Sequence, residues 1–527
     1  MIKTERTALY YAAVISLGGF LFGFDAAVIS GVVNFITPEF NLNEWWVGAV
    51  VSAPSFAAII AALTVGPVAD YVGRKKVMLT LAMLYTISAV ASALAPDVIT
   101  LLVARFIGGL AFGTLMLAPI YIAELAPARL RGRMVSVNQL NIVVGFSAAY
   151  FANYFIFKAS GSGSEFSQAL GLDKWAWRWM LGLEATPAAL YFFFMLIVPE
   201  SPRYLVLQGQ TEKAREILKR ISPAEKIEEI LSSIQGSAEQ ATSNLLGKIK
   251  DMFRPELRMV IVVGLIAGIA QQSSGINVVF FYAPTIFEQS GVGTNAAFAQ
   301  ATYVGLVNVA FTVVAMLLID RLGRRPLMLM GLTGIMISMS LAAYGFHSAY
   351  YELPSDAATT ISAEQDLSGL DSIVGIRYED DIAFKAAASA AIGESVFKAN
   401  EANLMQSAVN MNATVVLAGI LGFVASFAFS LGPVMWVLFS EIFPNRIRGV
   451  CMAFMGIVNS GVSWFVQFIF PYELSRLGSA GTFMVFAIFA AVCLVLLAWL
   501  MPETRGRSLE ELERELAIKP AQEERSA

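Results

Sequence analysis

The chain has 527 residues, of which 57% are hydrophobic and only 14% are charged, and its formal net charge of −4 is unremarkable for this length. A soluble protein of this size needs far more charged surface, so the composition excludes an ordinary soluble protein and indicates a membrane protein. The apolar residues fall in blocks of about 20 or more, which are long enough to cross a hydrocarbon core of roughly 30 Å.

Two sets of six apolar blocks follow one another along the chain. The first set lies at 8–33, 45–69, 76–95, 98–123, 134–157 and 178–198, and the second lies at 257–288, 296–319, 326–347, 411–440, 450–472 and 480–500. Backbone polar groups inside lipid must be bonded within their own segment, so we predict that every block is an α-helix. The predicted protein is all-α, with an N-terminal six-helix bundle at 1–198, a cytoplasmic helical linker at 199–256, a C-terminal six-helix bundle at 257–500 and a cytoplasmic tail at 501–527.

The basic residues are distributed unequally between the two sides of these spans. When both termini are placed in the cytoplasm, 28 of the 36 Lys and Arg residues fall on that side, 7 fall on the other, and Arg105 lies within a span. Positive residues are retained on the cytoplasmic side of membrane proteins. We therefore predict a multi-pass protein of the cell (inner) membrane with both termini in the cytoplasm.

Three motifs of the first half recur in the second half. Asp70–Lys75 is echoed by Asp320–Arg325, Glu124–Gly132 by Glu441–Gly449, and Pro199–Arg203 by Pro502–Gly506. Two parallel repeats of six spans are the architecture of major facilitator transporters. The offset between the repeats rises from 250 to 317 between Asp320 and Glu441, which locates an insertion at about 348–410.

The insertion is acidic, and the predicted sidedness places it outside the cell. Its alanine-rich part, at about 380–408, is predicted to be helical. We favour a passive extension, and a lid or a partner-binding surface are the alternatives.

Five motifs occur in order at matching spans, namely Gly18–Asp25, Glu124–Gly132, Pro199–Arg203, Gln271–Asn277 and Pro502–Gly506. On these motifs the chain resembles the sugar porter family of the major facilitator superfamily, and it is similar to bacterial proton–xylose symporters and facilitative glucose carriers. The resemblance covers nearly the whole chain, apart from about 348–410 and the far tail. It implies a secondary active transporter that takes up a hexose or pentose by proton symport through alternating access. Facilitative uniport of a sugar and proton-coupled transport of a polyol such as inositol are the alternatives.

Three charged residues, Asp25, Arg105 and Glu184, lie in the interior of predicted spans rather than at their ends. A charge at membrane depth costs several kcal/mol, so such residues usually have a partner and a function. One arginine beside two carboxylates can keep one of them ionised while the other binds a proton readily. The resemblance implies that Asp25 is the proton-coupling residue, that Arg105 is its partner, and that an acid at Glu184 belongs to the proton–xylose type. A purely structural ion pair is the alternative.

Sugar hydroxyls both donate and accept hydrogen bonds, so a sugar site requires amides together with an aromatic platform. The resemblance implies a site formed by Phe22, Gln139, Gln271, Gln272, Asn277, Phe281, Asn308, Trp436 and Asn459. Amides that only hold helices together are the alternative. Phe281 stands where the family usually has tyrosine, and Ser460 stands where the compared carriers have tryptophan, so the identity of the sugar stays open. The pair Gly432-Pro433 is expected to kink or unwind span ten.

The repeated motifs also carry acids at fixed distances from arginines. We predict gating ion pairs that join the two halves when the carrier faces outward, formed by Asp70, Arg74, Glu124, Arg131, Asp320, Arg324, Glu441 and Arg448. Opening toward the cytoplasm must break them, and such pairs can bias a two-state equilibrium.

Other classes of protein fit the sequence less well. The chain contains one histidine, His347, and two cysteines in apolar blocks, so we expect neither an enzyme nor a metal site. A sugar sensor typically has a longer tail. We expect a small-molecule sugar and the lipid bilayer as partners, no nucleic acid, no cofactor apart from the proton as coupling ion, and function as a monomer.

Overall fold

The computed structural model describes residues 3–240, 245–355, 367–444 and 447–504. Within these ranges, eleven helical segments are long and apolar enough to cross a membrane. The last of them, Arg448–Leu500, has 53 residues, which is about 80 Å of helix and more than twice the hydrocarbon thickness. It breaks at Gly478, where φ is 66°, so it provides two crossings. The number of crossings is therefore twelve, as predicted.

We number the spans 1 to 12 in chain order. Spans 1 to 6 are Lys3–Val28, Glu44–Val72, Arg74–Ala93, Val98–Leu125, Arg131–Ser160 and Leu172–Ile197. Spans 7 to 10 are Arg258–Gln289, Thr294–Leu322, Arg324–His347 and Ala413–Ile442, and spans 11 and 12 are 448–477 and 479–500. Short helices outside the spans are Val33–Glu39, Glu165–Ala169, Pro202–Leu207, Thr211–Ile221, Ile227–Gln240 and Leu245–Met252.

Two boundaries differ from the predictions. A helical turn precedes the predicted start of span 6 near 178: it begins at Leu172, after Gly171 in the left-handed conformation, and is set off by a kink at Trp175, where φ is −120°. Span 11 continues through the predicted loop as far as Gly478, the first residue with a positive φ in this stretch. In the tail, only residues up to Thr504 are described, so the Arg505-Gly506 part of the third repeat lies outside the described residues.

The two sets of six spans pack against each other along two seams, span 2 against span 11 and span 5 against span 8. At the first seam, a Cβ atom on Gly48 would lie 2.1 Å from the carbonyl oxygen of Phe468. At the second seam, a Cβ atom on Gly305 would lie 2.8 Å from the Cα atom of Ser147. The backbones touch at both places, which small residues allow.

We call the end of the bundle that carries the linker the terminal end, and the opposite end the insertion end. The halves are joined near the insertion end, where Asn34 Nδ2 donates to Glu288 at 2.5 Å and Thr285 Oγ1 donates to Asn34 Oδ1 at 2.7 Å. The rings of Phe157 and Phe298 also stack there, with centroids 4.5 Å apart. The bundle is therefore closed at the insertion end.

The described part of the insertion, 348–355 and 367–410, has its own apolar core. Its three-stranded antiparallel sheet has the order β2-β1-β3, with β1 at Tyr350–Glu352, β2 at Arg377–Tyr378 and β3 at Val409–Asn410. The predicted helix at 380–408 is confirmed as two helices, Asp381–Ile392 and Glu394–Ala408. Asp381 accepts hydrogen bonds from the backbone N–H and the hydroxyl of Ser479 at 3.1 and 3.0 Å, which anchors the insertion to the start of span 12.

Candidate functional site

Asp25 and Arg105 form an ion pair between spans 1 and 4. Their side chains are 1% and 2% exposed, and Arg105 Nη2 also donates to the backbone oxygen of Asp25 at 3.3 Å. A Cβ atom on Gly108, one turn from Arg105, would lie 2.9 Å from Asp25 Oδ2, so glycine leaves the room that this carboxylate occupies. The structure thus brings together the first two residues of the predicted proton site.

Glu184 lies where the two helices of span 6, Leu172–Leu183 and Ala185–Ile197, meet. Its side chain is buried and interacts electrostatically with both Asp25 and Arg105. Asp25 Oδ2 and Glu184 Oε1 are buried without a hydrogen-bond partner among the described residues. Two carboxylates beside one guanidinium leave one negative charge uncompensated, and a bound proton would neutralise it. The role of these residues in coupling stays a prediction.

Four of the predicted sugar-site amides form one hydrogen-bonded cluster between spans 7 and 11. Asn459 Nδ2 donates to Gln271 Oε1 at 2.9 Å, and Gln272 Nε2 donates to Asn459 Oδ1 at 3.0 Å. Asn277 Nδ2 donates to Gln272 Oε1 at 2.8 Å. Gln272 and Asn277 remain partly exposed at mid-span, so a polar ligand can reach their amides.

Two helix breaks place this cluster. Span 7 is interrupted between Arg258–Ser273 and Ile276–Gln289, where Gly275 has a φ of 86°. Span 10 is interrupted at Ser430, next to the predicted Gly432-Pro433 kink, and Gln271 Nε2 donates to the carbonyl oxygen of Leu431 at 3.1 Å. Broken helices leave backbone groups unsatisfied, and at membrane depth such groups are tolerated only beside protein partners or a cavity.

The other predicted sugar-site residues are spread over both halves. Phe22 packs edge-on against Phe112, with ring centroids 4.7 Å apart, and Trp436 packs edge-on against Phe439, with centroids 5.7 Å apart. Asn308 and Phe281 are buried, whereas Gln139 is partly exposed in span 5. Whether these five residues contact the same ligand as the amide cluster stays a prediction.

Sequence reasoning missed two polar sites. Ser463 and Gln467 follow Asn459 at intervals of four residues, so the three side chains share one face of span 11, and this spacing was the signal available. Glu288, at the end of span 7, contacts Asn34 across the halves, and its position at the edge of an apolar block concealed it.

The predicted gating residues include three ion pairs that form within single halves in this conformation. Arg74 binds Asp70 at 2.6 Å and Glu124 at 3.1 Å, and Arg324 binds Glu441 at 2.8 Å. The predicted pairs between the halves concern the outward-facing state, which this conformation does not test, so they stay a prediction. Each of the pairs formed here lies within one half. The physical reason is that each arginine begins a helix that packs against the acid-bearing helix of its own half.

The arginines seven residues after these acids, Arg131 and Arg448, are placed differently from Arg74 and Arg324 in this conformation. Arg131 is exposed at the start of span 5, and Arg448 Nε donates to the backbone oxygen of Phe443 at 3.2 Å. Proline-containing turns separate both arginines from Glu124 and Glu441. The side chain of Asp320 lies outside the described part of the chain.

The repeated motifs build the same hydrogen bonds in both halves. Ser201 Oγ donates to Glu124 Oε2 at 2.5 Å, and Thr504 Oγ1 donates to Glu441 Oε2 at 2.6 Å. The repeats found in the sequence therefore correspond to a repeated polar network at the terminal end.

Comparisons with known proteins agree with this architecture. Residues 11–360 and 383–516 match the family model described as sugar (and other) transporter. The arabinose-proton symporter of Bacillus subtilis (strain 168) is 34% identical, over 94% of this chain and 92% of that protein. The D-xylose-proton symporter of Escherichia coli (strain K12) is 32% identical, over 95% and 94%. The solved inward-open xylose transporter of E. coli has a TM-score of 0.71 at 30% identity, over 96% of this chain and 98% of that chain. The chain belongs to the sugar transporter family, within the sugar porters of the major facilitator superfamily.

Proposed function

We propose that this protein is a secondary active transporter that takes up a monosaccharide together with a proton by alternating access. The observation that carries the proposal is the buried trio of Asp25, Arg105 and Glu184, in which each acid has an oxygen without a partner among the described residues. Buried acids of this kind at membrane depth are typical of proton relays. Relatives named as arabinose-proton and D-xylose-proton symporters support the same function.

The amide cluster supports a sugar as the substrate. Gln272 and Asn277 offer both donors and acceptors, as sugar hydroxyls require. Among the relatives are proteins named for arabinose, D-xylose and glucose. Phe281 and Ser460 depart from the family pattern, so a polyol such as inositol belongs in the substrate test as the alternative.

Transport would proceed by rocking of the bundles 1–198 and 257–500 about the amide cluster. Closure at the insertion end supports an inward-facing state for this conformation, in agreement with the similarity to an inward-open structure. The terminal-end ion pairs would then hold each half together as a unit. The excess of basic residues supports an inner-membrane protein with cytoplasmic termini. The monomer would be sufficient, with the proton as its sole coupling ion.

Proteoliposomes test the proposal directly. Uptake of labelled D-xylose, L-arabinose, D-glucose and inositol is measured with and without an imposed pH gradient that is acid outside. We expect one or more monosaccharides to accumulate above the external concentration only with the gradient, and an uncoupler to abolish that accumulation. Sugar flux that is indifferent to the gradient would identify a uniporter, and gradient-driven uptake of inositol alone would identify a polyol transporter.

A further inference from the structure

Span 11 carries a polar face that extends beyond the amide cluster. Asn459, Ser463 and Gln467 are spaced four residues apart and are all buried, with Gln467 fully inaccessible. Polar side chains in a membrane span are expensive, so a continuous row of them requires partners or a function. Neither the predicted sugar site nor the predicted proton site uses Ser463 or Gln467.

The polar face continues the hydrogen bonds of the cluster toward the insertion end. Asn277 Nδ2 donates to Ser463 Oγ at 2.7 Å, and Gln467 Nε2 donates to the same oxygen at 2.7 Å. Ser463 thereby links the last amide of the cluster to Gln467. Tyr282 in span 7 donates to the backbone oxygen of Gln467 at 3.3 Å and holds this part of span 11 against span 7.

The last link of the chain crosses between the halves. Ser55 in span 2 donates from its hydroxyl to Gln467 Oε1 at 2.9 Å, and both side chains are buried. Spans 2 and 11 form the seam at which Gly48 meets Phe468, on the insertion-end side of this bond. When the insertion end opens, this seam must separate and the hydrogen bond must break.

The donor count shows how a ligand would act on this chain. An asparagine amide nitrogen has two hydrogens, and Asn277 gives both, one to Gln272 and one to Ser463. A sugar hydroxyl that accepts a hydrogen bond from Asn277 must therefore displace one of these two partners. When it displaces Ser463, the serine oxygen loses one of its two donors. The hydrogen bond that Gln467 Nε2 donates to the same oxygen then changes in strength.

We propose that Gln467 is a positioning residue that couples occupancy of the amide cluster to the seam between spans 2 and 11, through Ser463 on one side and Ser55 on the other. The inference rests on the proposed function in taking a sugar as the ligand of the cluster. Gln467 itself need not touch the sugar. Its hydrogen bond to Ser55 stabilises the conformation that is closed at the insertion end, and sugar binding weakens or strengthens that bond through Asn277.

The test measures opening of the insertion end, at which both seams must separate. Ser147 is buried in the second seam against Gly305, so a reagent added at the insertion end should reach a Ser147→Cys thiol only when that seam opens. The two native cysteines, both buried, are replaced by serine. The full-length protein is reconstituted, and a membrane-impermeant maleimide is added at the insertion end, with and without D-xylose, L-arabinose or D-glucose. Sugar binding is measured in parallel by calorimetry.

We expect Gln467→Leu to raise the labelling rate without sugar several-fold and to remove its dependence on sugar, with sugar affinity kept within about threefold. Ser55→Ala deletes the same bond with almost no change in volume, and it should give the same effect if Gln467→Leu fails to fold. Ser55→Thr keeps the hydroxyl and should restore the parent's behaviour. The double variant Ser55→Ala/Gln467→Leu should add nothing to the single changes, because both delete one interaction.

Ser52→Ala is the matched control. Ser52 is a fully buried serine of the same helix, and its Oγ has no hydrogen-bond partner among the described residues. Its removal should leave both labelling rates unchanged. The inference is overturned if the parent binds sugar but Gln467→Leu and Ser55→Ala are labelled at the parent's rates, both with and without sugar. A parent that binds no sugar overturns the proposed function instead, and the rate without sugar still shows whether the Ser55–Gln467 bond closes the seam.

Discussion

Glu200 accepts a hydrogen bond from the backbone N–H of Lys75 at 3.2 Å, across 125 residues of sequence. Lys75 lies in the first turn of span 3, so the carboxylate sits at the positive end of the helix dipole. Glu503 takes the equivalent place in the second half, where it accepts from the N–H groups of Arg324 and Arg325 at 3.1 and 3.2 Å. The acids of the third repeat thus cap the helices that follow the glycine-arginine motifs.

The cap leads to a prediction about stability. Glu200→Gln keeps an acceptor but removes the charge, so we expect a loss of about 1 kcal/mol in the free energy of unfolding. Thermal unfolding in detergent measures the change. Glu216→Gln, at an exposed acid in the middle of the helix Thr211–Ile221, serves as the control and should leave the midpoint unchanged. An unchanged midpoint for Glu200→Gln would show that the cap contributes nothing.

The buried ion pair leads to a prediction about coupling. Asp25→Asn leaves Arg105 without its carboxylate partner and removes the group that the proposal assigns to proton binding. We expect the variant to lose accumulation of sugar against a gradient while keeping sugar exchange across the membrane. Asp97→Asn is the control, because Asp97 is an exposed cap at the start of span 4 and asparagine caps equally well. Accumulation by Asp25→Asn at the parent's level would contradict the assignment.

The first seam leads to a prediction about conformation. A side chain at Gly48 has no room beside the carbonyl oxygen of Phe468 when the insertion end is closed. We expect Gly48→Val to disfavour that closed state and to lower the net uptake rate at least tenfold. Gly66→Val is a matched control in the same helix, because a Cβ atom there would have no neighbour within 4 Å. Initial rates in proteoliposomes measure both variants, and equal rates would show that the closed seam accommodates a side chain at Gly48.

The insertion leads to a prediction about pH. Burial acts to raise the pKa of Glu401, but the nearby Lys385 and a hydrogen bond from Gln289 outweigh it, so the pKa lies below the ordinary value of 4.5. Lys385 Nζ is 3.0 Å from Glu401 and 2.7 Å from the Gln289 side-chain oxygen at the end of span 7. A carboxyl whose pKa is lowered by folding stabilises the fold above the unfolded pKa, and this contribution disappears as the pH falls through the folded pKa.

Lys385→Met should therefore lower the unfolding midpoint at pH 7, and the difference from the parent should shrink as the pH falls below about 4.5. Differential scanning fluorimetry across a pH series measures both curves. Lys398→Met is the comparison, since Lys398 binds the largely exposed Glu394 and should have a smaller effect at pH 7. A difference between Lys385→Met and the parent that stays constant with pH would rule out the ion pair as its cause.

Much of the fold could be predicted because its determinants are local. Block length and apolarity identified the spans, because a polar residue in lipid raises the free energy whatever the fold of the distant chain. The same cost singled out Asp25, Arg105 and Glu184 among the charged residues, and the structure brings them together. The motif repeats identified the two halves for a similar reason, because each repeat is a short contiguous stretch.

The partners of these residues were decided by the tertiary structure alone. Arg74 binds acids of its own half, and Ser55 meets Gln467 across 412 residues of sequence. A hydrogen bond between helices depends on the rotation and depth of both, to within about an ångström, and on where each helix breaks. The sequence by itself determined which residues must find a partner or a function inside the membrane, while the packing of distant helices decided which partner each one found.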